Sequence, residues 1–146
     1  MTTPAGHRVF AMPVRVYFQD TDAGGVVFHG IYLNFLERAR TEWLRGLGFA
    51  LPRLMAEFGV LFVVRNVAIE YHRPARLDDT LQVSVAIARA GGAQLSLLQD
   101  VTRDRKQIAA AQVGLACVST PDLKAARMPP ALRAACTHWS TGTMTA

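Results

Sequence analysis

The chain has 146 residues, of which 51% are hydrophobic and 18% are charged, and its formal net charge is +5. This length fits one domain with a sizeable core, and this composition excludes an intrinsically disordered chain. No apolar run approaches the roughly 20 residues that a membrane-spanning helix needs, and the N-terminus lacks the pattern of a secretory signal.

The basic residues indicate what the protein binds. There are 16 Lys and Arg residues against 11 Asp and Glu, and they are scattered rather than grouped in a block. Scattered basic residues argue against nucleic acid as a partner, whereas arginine is well suited to the phosphates of a small molecule. Cys117 lies in an apolar, strand-like segment and reads as a buried, reduced thiol, with a disulfide or a metal pair as the alternatives. We therefore expect a cytoplasmic protein.

The first half of the chain predicts one strand and one long helix. In "VRVYFQ", residues 14–19, Val14, Val16 and Phe18 alternate with polar residues, as in a half-buried strand. A helix follows, because Tyr32, Leu36, Ala39, Trp43 and Leu47 recur at steps of three and four. Gly46 and Gly48 end it, and "LPRLMAEFG" predicts a short second helix.

The second half changes to a period of two. Four segments predict strands that form a meander: "VRNVAIEYHRPA", "TLQVSVAIARA", "AQLSLLQDVT" and "QIAAAQVGLACVS". Gly91-Gly92 and "RDRK" mark turns between them, and the Ala- and Gly-rich last strand predicts a closely packed neighbour. "MPPALRAA" predicts a short helix, followed by a loosely ordered tail from about 137 to 146.

These elements predict an α+β fold in which an antiparallel β-sheet wraps around one long central α-helix. We expect a single domain over residues 1–146, with its core over about 13–120. The edge strands of such a sheet need covering, and pairing with another copy covers them. A homo-oligomer is therefore expected.

The segment "QDTDAGGVVFHG" before the long helix carries the chemistry. Asp20 and Asp22 could simply form turns, and His29 could be an ordinary packed histidine. A calcium loop is excluded because the twelfth position from Asp20 is Ile31 rather than Glu. A transition-metal site formed by Asp20, Asp22 and His29 remains an alternative.

A hydrolytic site accounts for more of this segment. A helix N-terminus presents free N–H groups that can hold an oxyanion, and a nearby carboxylate can act as nucleophile or general base. Gly24 and Gly25 let the backbone turn tightly next to a ligand. Together these features suit hydrolysis of an activated acyl group.

Two motifs resemble a known family. "DTDAGGVVFHGIYLNFLERARTEWL" is similar to the signature of hotdog-fold acyl-CoA thioesterases of the 4-hydroxybenzoyl-CoA thioesterase type, and in particular to their Tol-Pal-associated (YbgC-type) branch. "IEYHRPARLDDTLQV" resembles the strand pair that follows in that family. The resemblance covers about residues 13–120.

The resemblance implies roles for three residues. The second Asp of the DxD pair, Asp22, corresponds to the catalytic carboxylate, and Asp20 to a supporting turn residue. His29, seven residues after Asp22, would supply a backbone N–H to the thioester carbonyl and an imidazole that assists catalysis. Ile31 stands where many relatives have Asn, so no side-chain hydrogen bond is expected there. The resemblance also implies a hotdog dimer or tetramer with active sites at subunit interfaces.

The function predicted from the sequence is hydrolysis of an acyl-CoA to a free acid and CoA, with no cofactor and no metal. Arg73 and Arg76 are candidates for the CoA phosphates, because both lie near a predicted turn. Two alternatives remain. One is a hotdog hydratase or dehydratase acting on an acyl-CoA or acyl carrier protein, and the other is a non-catalytic partner protein of a Tol-Pal-like assembly.

Overall fold

The structure is a computed structural model that describes residues 8–141. The strands and helices are, in chain order, β1 (Phe10–Arg15), α1 (Ile31–Gly46), α2 (Leu51–Arg53), β2 (Val60–Tyr71), β3 (Thr80–Ala90), β4 (Gln94–Arg103), β5 (Lys106–Ser119) and α3 (Pro130–Thr141). A 3-10 turn, Phe18–Asp20, precedes α1, and a π-helix, Leu54–Phe58, continues α2. The five strands form one antiparallel sheet in the order β1-β3-β4-β5-β2. The predicted α+β fold with one long helix against an antiparallel sheet is confirmed.

Helix α1 packs its predicted stripe into the core. Tyr32, Leu36, Ala39 and Trp43 are buried. Each large apolar side chain of this kind contributes about 1.5–3 kcal/mol when it leaves water, so the stripe fixes which way the helix faces. Gly48 has φ +92°, a left-handed conformation that lets the chain leave the helix.

The first strand differs from its prediction. It covers Phe10–Arg15, and the chain then leaves the sheet in the 3-10 turn Phe18–Asp20. Phe18 is therefore 80% exposed, and its predicted place on the buried face is wrong. The physical reason is the Asp20 carboxylate, which accepts a hydrogen bond from the Tyr17 N–H at 2.8 Å and folds the backbone into a turn.

The predicted four-strand meander is partly wrong. β3, β4 and β5 are consecutive neighbours joined by tight turns, as expected. β2 instead pairs with β5, and β3 pairs with β1, so residues 72–79 cross the sheet instead of joining two neighbouring strands. The position of β2 is thus decided by β1, because β1 occupies the place beside β3 that a meander would give to β2.

Close packing on the last strand is confirmed. A Cβ atom on Gly114 of β5 would overlap the side-chain amide oxygen of Asn66 on β2. The register of the β2–β5 pair shifts between Val64 and Asn66, at the same place. A larger residue at position 114 would therefore force the Asn66 side chain to move.

The C-terminal region is more ordered than its sequence predicts. α3 continues to Thr141, so the loose tail is wrong for 137–141, while 142–146 lie outside the described residues. Trp139 is 7% exposed and packs edge-on against Trp43 of α1, with the ring centroids 5.4 Å apart. Burial of this large ring extends the helix beyond the predicted short segment.

Both cysteines are buried and free. Burial raises the pKa of the Cys136 thiol to about 11 and also raises that of Cys117, so both remain protonated at neutral pH. The predicted reduced, buried thiol at Cys117 is confirmed. Across residues 8–141, no helix combines the length and the apolar character needed to span a bilayer.

Candidate active site

A small hairpin precedes α1 and shapes the site. Thr21 and Val27 form an isolated antiparallel bridge, and the Asp22 N–H donates to the Val26 carbonyl at 2.9 Å. Between them the Gly25 N–H donates back to the Asp22 carbonyl at 3.0 Å, and Gly25 has φ +80°. A residue with a Cβ would be strained at this position, so the second glycine of the motif is what closes the turn.

The Asp20 carboxylate is structural. Its side chain is 4% exposed and accepts the Tyr17 N–H at 2.8 Å. The backbone carbonyl of Asp20 accepts the Phe28 N–H at 2.9 Å, which ties the two ends of the hairpin together. A carboxylate with these partners holds the loop and is closed to a substrate.

The Asp22 carboxylate is exposed and only partly engaged. Its Oδ1 accepts the Gly24 N–H at 2.8 Å, and Oδ2 accepts no hydrogen bond from residues 8–141. The carboxylate opens on a cavity of about 540 Å³ whose other walls include Phe18, Thr21 and Leu77. One carboxylate oxygen is oriented by the turn and the other is available for chemistry.

The N-terminus of α1 supplies hydrogen-bond donors beside this turn. The Ile31 N–H donates to the Phe28 carbonyl at 2.9 Å, which closes a turn over residues 28–31 just before the helix. No acceptor within the described range 8–141 receives the backbone N–H of His29. An unpaired N–H at the positive end of a helix is suited to bind a negatively charged oxygen.

The His29 imidazole is exposed and lies in a second cleft, of about 310 Å³. The other side chains of this cleft come mostly from the end of β2 and the residues that follow it, and include Tyr71, His72 and Arg73. Tyr32 forms its floor, and burial raises the pKa of the Tyr32 phenol, which stays neutral. The structure thus brings His29 and Arg73 together, while Asp22 opens on the neighbouring cavity.

The two predicted arginines differ in how they are held. The Arg73 guanidinium donates to the Gln107 carbonyl at 2.8 Å, so its charge is anchored at the mouth of the His29 cleft. Arg76 forms a backbone bridge with Val26 and is exposed, but it lines neither cleft.

Asp79 fixes the loop that carries both arginines. Burial alone would raise the pKa of this carboxyl, but hydrogen bonds from the Arg76 N–H (2.8 Å) and the Arg103 guanidinium (2.5 Å) outweigh burial, and the pKa is lowered. Asp79 is therefore ionised at neutral pH and holds the loop against β4.

Sequence reasoning missed two residues of the His29 cleft, Tyr71 and His72. Tyr71 ends β2, and its hydroxyl donates to the His29 carbonyl at 2.9 Å across 42 residues of sequence. Both residues fall inside the second motif, "IEYHRPARLDDTLQV", but their meeting with His29 depends on the crossover from β2 to β3. In residues 8–141, no three His, Cys, Asp or Glu side chains are grouped to hold a metal ion.

Known proteins resemble this chain in both sequence and fold. A family model described as the Thioesterase superfamily matches residues 24–110. The chain is 43% identical over 129 residues to a Haemophilus influenzae protein named acyl-CoA thioesterase YbgC, and the match covers 88% of this chain and 95% of the relative. An Escherichia coli protein named acyl-CoA thioester hydrolase YbgC is 43% identical over 125 residues, covering 85% of this chain and 92% of the relative.

Among solved structures, a probable thioesterase from Bartonella henselae superposes with a TM-score of 0.80 at 35% identity, covering 84% of this chain and 100% of that one. The sequence match, the fold match and the motif around Asp22 and His29 agree. The chain belongs to the thioesterase superfamily.

Proposed function

We propose that this protein hydrolyses the thioester bond of an acyl-CoA, releasing a free acid and CoA. Two features of one segment carry the proposal: the Asp22 carboxylate has one oxygen held by the Gly24 N–H and the other without a partner among residues 8–141, and the His29 N–H just before α1 has no acceptor in that range. The relatives named as acyl-CoA thioesterases support it, because they match 88% and 85% of this chain at 43% identity.

The proposed reaction uses the negative charge of Asp22. Either the free carboxylate oxygen attacks the thioester carbonyl, or it takes a proton from a water molecule that attacks. A C–O bond forms, and the carbonyl oxygen becomes an oxyanion held by the His29 N–H and the helix dipole. The C–S bond then breaks, and in this proposal the His29 imidazole donates a proton to the thiolate of CoA. On the first route water finally hydrolyses the acyl–Asp22 anhydride.

In this proposal, arginines near the cleft bind the phosphates of CoA. Arg73 is anchored at the cleft mouth and can meet a phosphate without first losing side-chain freedom. Arg76 is exposed on the same loop and contributes a longer-range attraction. In this proposal Arg73 contributes more to affinity than Arg76.

We further propose that the active protein is a homodimer or a larger homo-oligomer. β2 is an edge strand of the sheet, and Val64, Val67 and Tyr71 on it are 49%, 37% and 48% exposed. An edge strand that is 12 residues long and bears apolar groups is a template for a second copy of the same strand. Because Tyr71 also lines the His29 cleft, a second copy on β2 would complete the site. Light scattering at micromolar concentration tests this, and a monomeric mass would refute it.

The two buried cysteines are free thiols, which fits a cytoplasmic enzyme, and we include that location in the proposal.

The decisive experiment measures thiol release from short, long and aromatic acyl-CoAs, with an enoyl-CoA followed by absorbance in parallel. Thiol release supports the proposal. Hydration of the enoyl-CoA without thiol release would favour a hydratase. No reaction with any of these acyl-CoAs would favour a non-catalytic binding role.

A further inference from the structure

A third cavity, of about 250 Å³, lies between α1 and the first half of β2 and shares no lining residue with the two clefts of the candidate site. Its polar lining consists of Glu37, Arg40 and Thr41, which all belong to α1. An apolar cavity with a few polar groups is the usual form of a small-molecule site. The apolar walls are Leu44, Leu51, Leu54, Phe62, Val64 and Leu115.

Arg40 brings a buried positive charge to this cavity. The residue is 9% exposed, and its Nη1 donates to the side-chain oxygen of Gln99 at 3.1 Å. The Gln99 amide is held in turn by the carbonyls of Leu36, at 3.1 Å, and Ser84, at 3.2 Å. Within residues 8–141, no carboxylate forms an ion pair with Arg40. A buried cation without a counter-ion is costly, so a negatively charged partner would be stabilising here.

The rest of the guanidinium is accessible from the cavity. Its Nε and Nη2 donate to no acceptor in the described residues, yet the one side-chain nitrogen or oxygen there that is both fully buried and without a partner is Trp43 Nε1. Nε and Nη2 of Arg40 are therefore not fully buried, and the cavity is the space that Arg40 lines. A guanidinium stays protonated and matches the two oxygens of a carboxylate.

Exposed apolar side chains lead from the His29 cleft to this cavity. Tyr71 lines the cleft, Val64 lines the cavity, and Val67 lies between them on β2. All three pair with core residues of β5 and so share the face of the sheet that is turned towards α1. Leu33, on α1, is 44% exposed. An acyl chain held at the His29 N–H can therefore extend between α1 and β2 towards Arg40.

The length of α1 sets the length of the acyl chain. Leu36 and Arg40, between which the guanidinium is held through Gln99, lie roughly 8 and 14 Å beyond Ile31 along the helix axis. An extended carbon chain covers about 1.25 Å per carbon, given bonds of about 1.5 Å and angles of about 111°. About six to eleven carbons therefore reach the guanidinium.

We propose that this cavity binds the far end of the acyl group and that Arg40 recognises a carboxylate there, so that the preferred substrates are CoA monoesters of medium-length dicarboxylic acids. This inference rests on the proposed thioesterase function. Apolar walls fit methylene groups, and the buried charge of Arg40 is complementary to an anionic tip. Glu37 lies exposed at the same cavity, where water screens its charge more than that of Arg40.

The first test compares acyl-CoAs that differ only at the far end. For chains of about six to twelve carbons, each dicarboxylic monoester is compared with the alkyl acyl-CoA of the same length. We expect kcat/KM of the best carboxyl-tipped substrate to exceed that of its alkyl counterpart at least about tenfold, as for a hydrogen bond between charged groups. Equal kcat/KM values at every length would overturn the proposal.

Two variants assign this preference to Arg40. Arg40→Met removes the charge and keeps an apolar stem, and the preference should disappear. The matched control is Arg38→Met, because Arg38 is exposed on the same helix and lines none of the three cavities. A preference that survives in Arg40→Met would overturn the assignment.

A second readout needs no turnover. Octanoate and 1-octanol have the same carbon chain, and only octanoate carries a carboxylate. In ¹⁵N-labelled protein, octanoate should cause a saturable shift of the Arg40 Nε–H resonance, and octanol should not. If the wild type releases no thiol from any acyl-CoA, the proposed function fails, and this titration alone decides whether Arg40 binds carboxylates. A resonance that octanoate leaves unchanged would refute the carboxylate site in either case.

Glu37→Gln keeps the test decisive if Arg40→Met does not fold. The variant removes the negative charge from the cavity and retains Arg40, so calorimetry should show octanoate affinity rising roughly twofold, as expected for a solvent-screened charge nearby. The rival partner of Arg40 is the Glu37 carboxylate of a second copy of the chain. In that case Glu37→Gln would lower the oligomeric mass in light scattering without raising octanoate affinity, and this result would overturn the proposal.

Discussion

The two carboxylates of the segment before α1 lie two residues apart and have opposite environments. At the buried end, Asp20 is 4% exposed and serves the backbone of Tyr17 and Phe28. At the open end, Asp22 is exposed and faces a cavity; Gly24 holds one of its oxygens, and the other has no hydrogen-bond partner in the described part of the chain. A buried carboxylate whose hydrogen bonds are satisfied stabilises a loop, whereas an exposed one with a free oxygen can react.

This contrast shows that the residue type does not decide the role of a carboxylate. Both residues are Asp in one short motif. The 3-10 turn Phe18–Asp20 directs the Asp20 side chain into the protein and leaves the Asp22 side chain exposed. The segment also offers the His29 N–H, whereas at the buried end the N–H groups of Tyr17 and Asp20 already have acceptors. Changes at the two ends should therefore affect different measurements: kinetics at the open end and stability at the buried end.

The largest expected effect is at the open end. Asp22→Asn keeps the shape of the side chain and its bond to the Gly24 N–H but removes the negative charge. Because nucleophile and general base are both lost, kcat for thiol release should fall at least about 10²-fold, with a smaller change in KM. Steady-state thiol release on the best acyl-CoA measures this.

The matched control for this variant is Asp104→Asn. Asp104 is exposed, and its φ of +52° is one that asparagine also adopts readily, so the same change of charge is made outside the site. Near-wild-type release by Asp22→Asn, together with loss of activity in folded Asp20→Asn, would reverse the roles given to the two carboxylates.

A smaller effect is expected from the imidazole beside the open end. His29→Ala removes the side chain but retains the backbone N–H, so the oxyanion donor survives. We expect kcat to fall roughly 10–10²-fold, the range of general acid–base assistance with the electrostatic contribution intact. The measurement is kcat for the same substrate, compared directly with Asp22→Asn. A loss larger than that of Asp22→Asn would move the main catalytic role to His29.

Added salt should weaken the exposed contacts with the CoA phosphates and affect the catalytic step less. Screening shortens the reach of exposed charges to roughly 4 Å near 0.5 M salt, so KM for an acyl-CoA should rise about three- to tenfold from low salt while kcat changes less. Arg73→Gln should raise KM at low salt and flatten this dependence. Arg133→Gln, on α3, removes the same charge from a helix that lines neither cleft and is the control. A KM that does not respond to salt would contradict an arginine-bound phosphate.

The sequence predicts local features of this molecule well and long-range ones poorly. The boundaries of β3 and the buried stripe of α1 follow from periodicity, because each reflects one face of one element. Asp22 and His29 could be named as candidates from the motif, since both lie within ten residues of the helix start, and their catalytic roles stay predictions.

The contact between Tyr71 and His29 could not be predicted, because it depends on β2 pairing with β5 and not with β3. Phe18 was misplaced for a related reason. A period of two continues through "VRVYFQ", but the pattern does not contain the hydrogen bond from the Tyr17 N–H to Asp20, which ends the strand before Phe18. In both cases a contact outside the local pattern decided the outcome.

The smallest expected effect is at the buried end, and it concerns stability. Asp20→Asn keeps an oxygen that can accept the Tyr17 N–H but loses the charge that strengthens this bond. The free energy of unfolding should fall by about 1 kcal/mol, as for a lost helix cap, while kcat of the folded protein stays within about threefold of the wild type. Urea unfolding at one fixed protein concentration measures the first, because an oligomer's apparent stability depends on concentration. Asp20→Ala is the sharper companion variant, since it leaves the Tyr17 N–H without its partner in a partly buried position and should cost more than Asp20→Asn. Equal stability in all three proteins, with kcat reduced in both variants, would show that Asp20 acts in catalysis and that burial has misled the assignment.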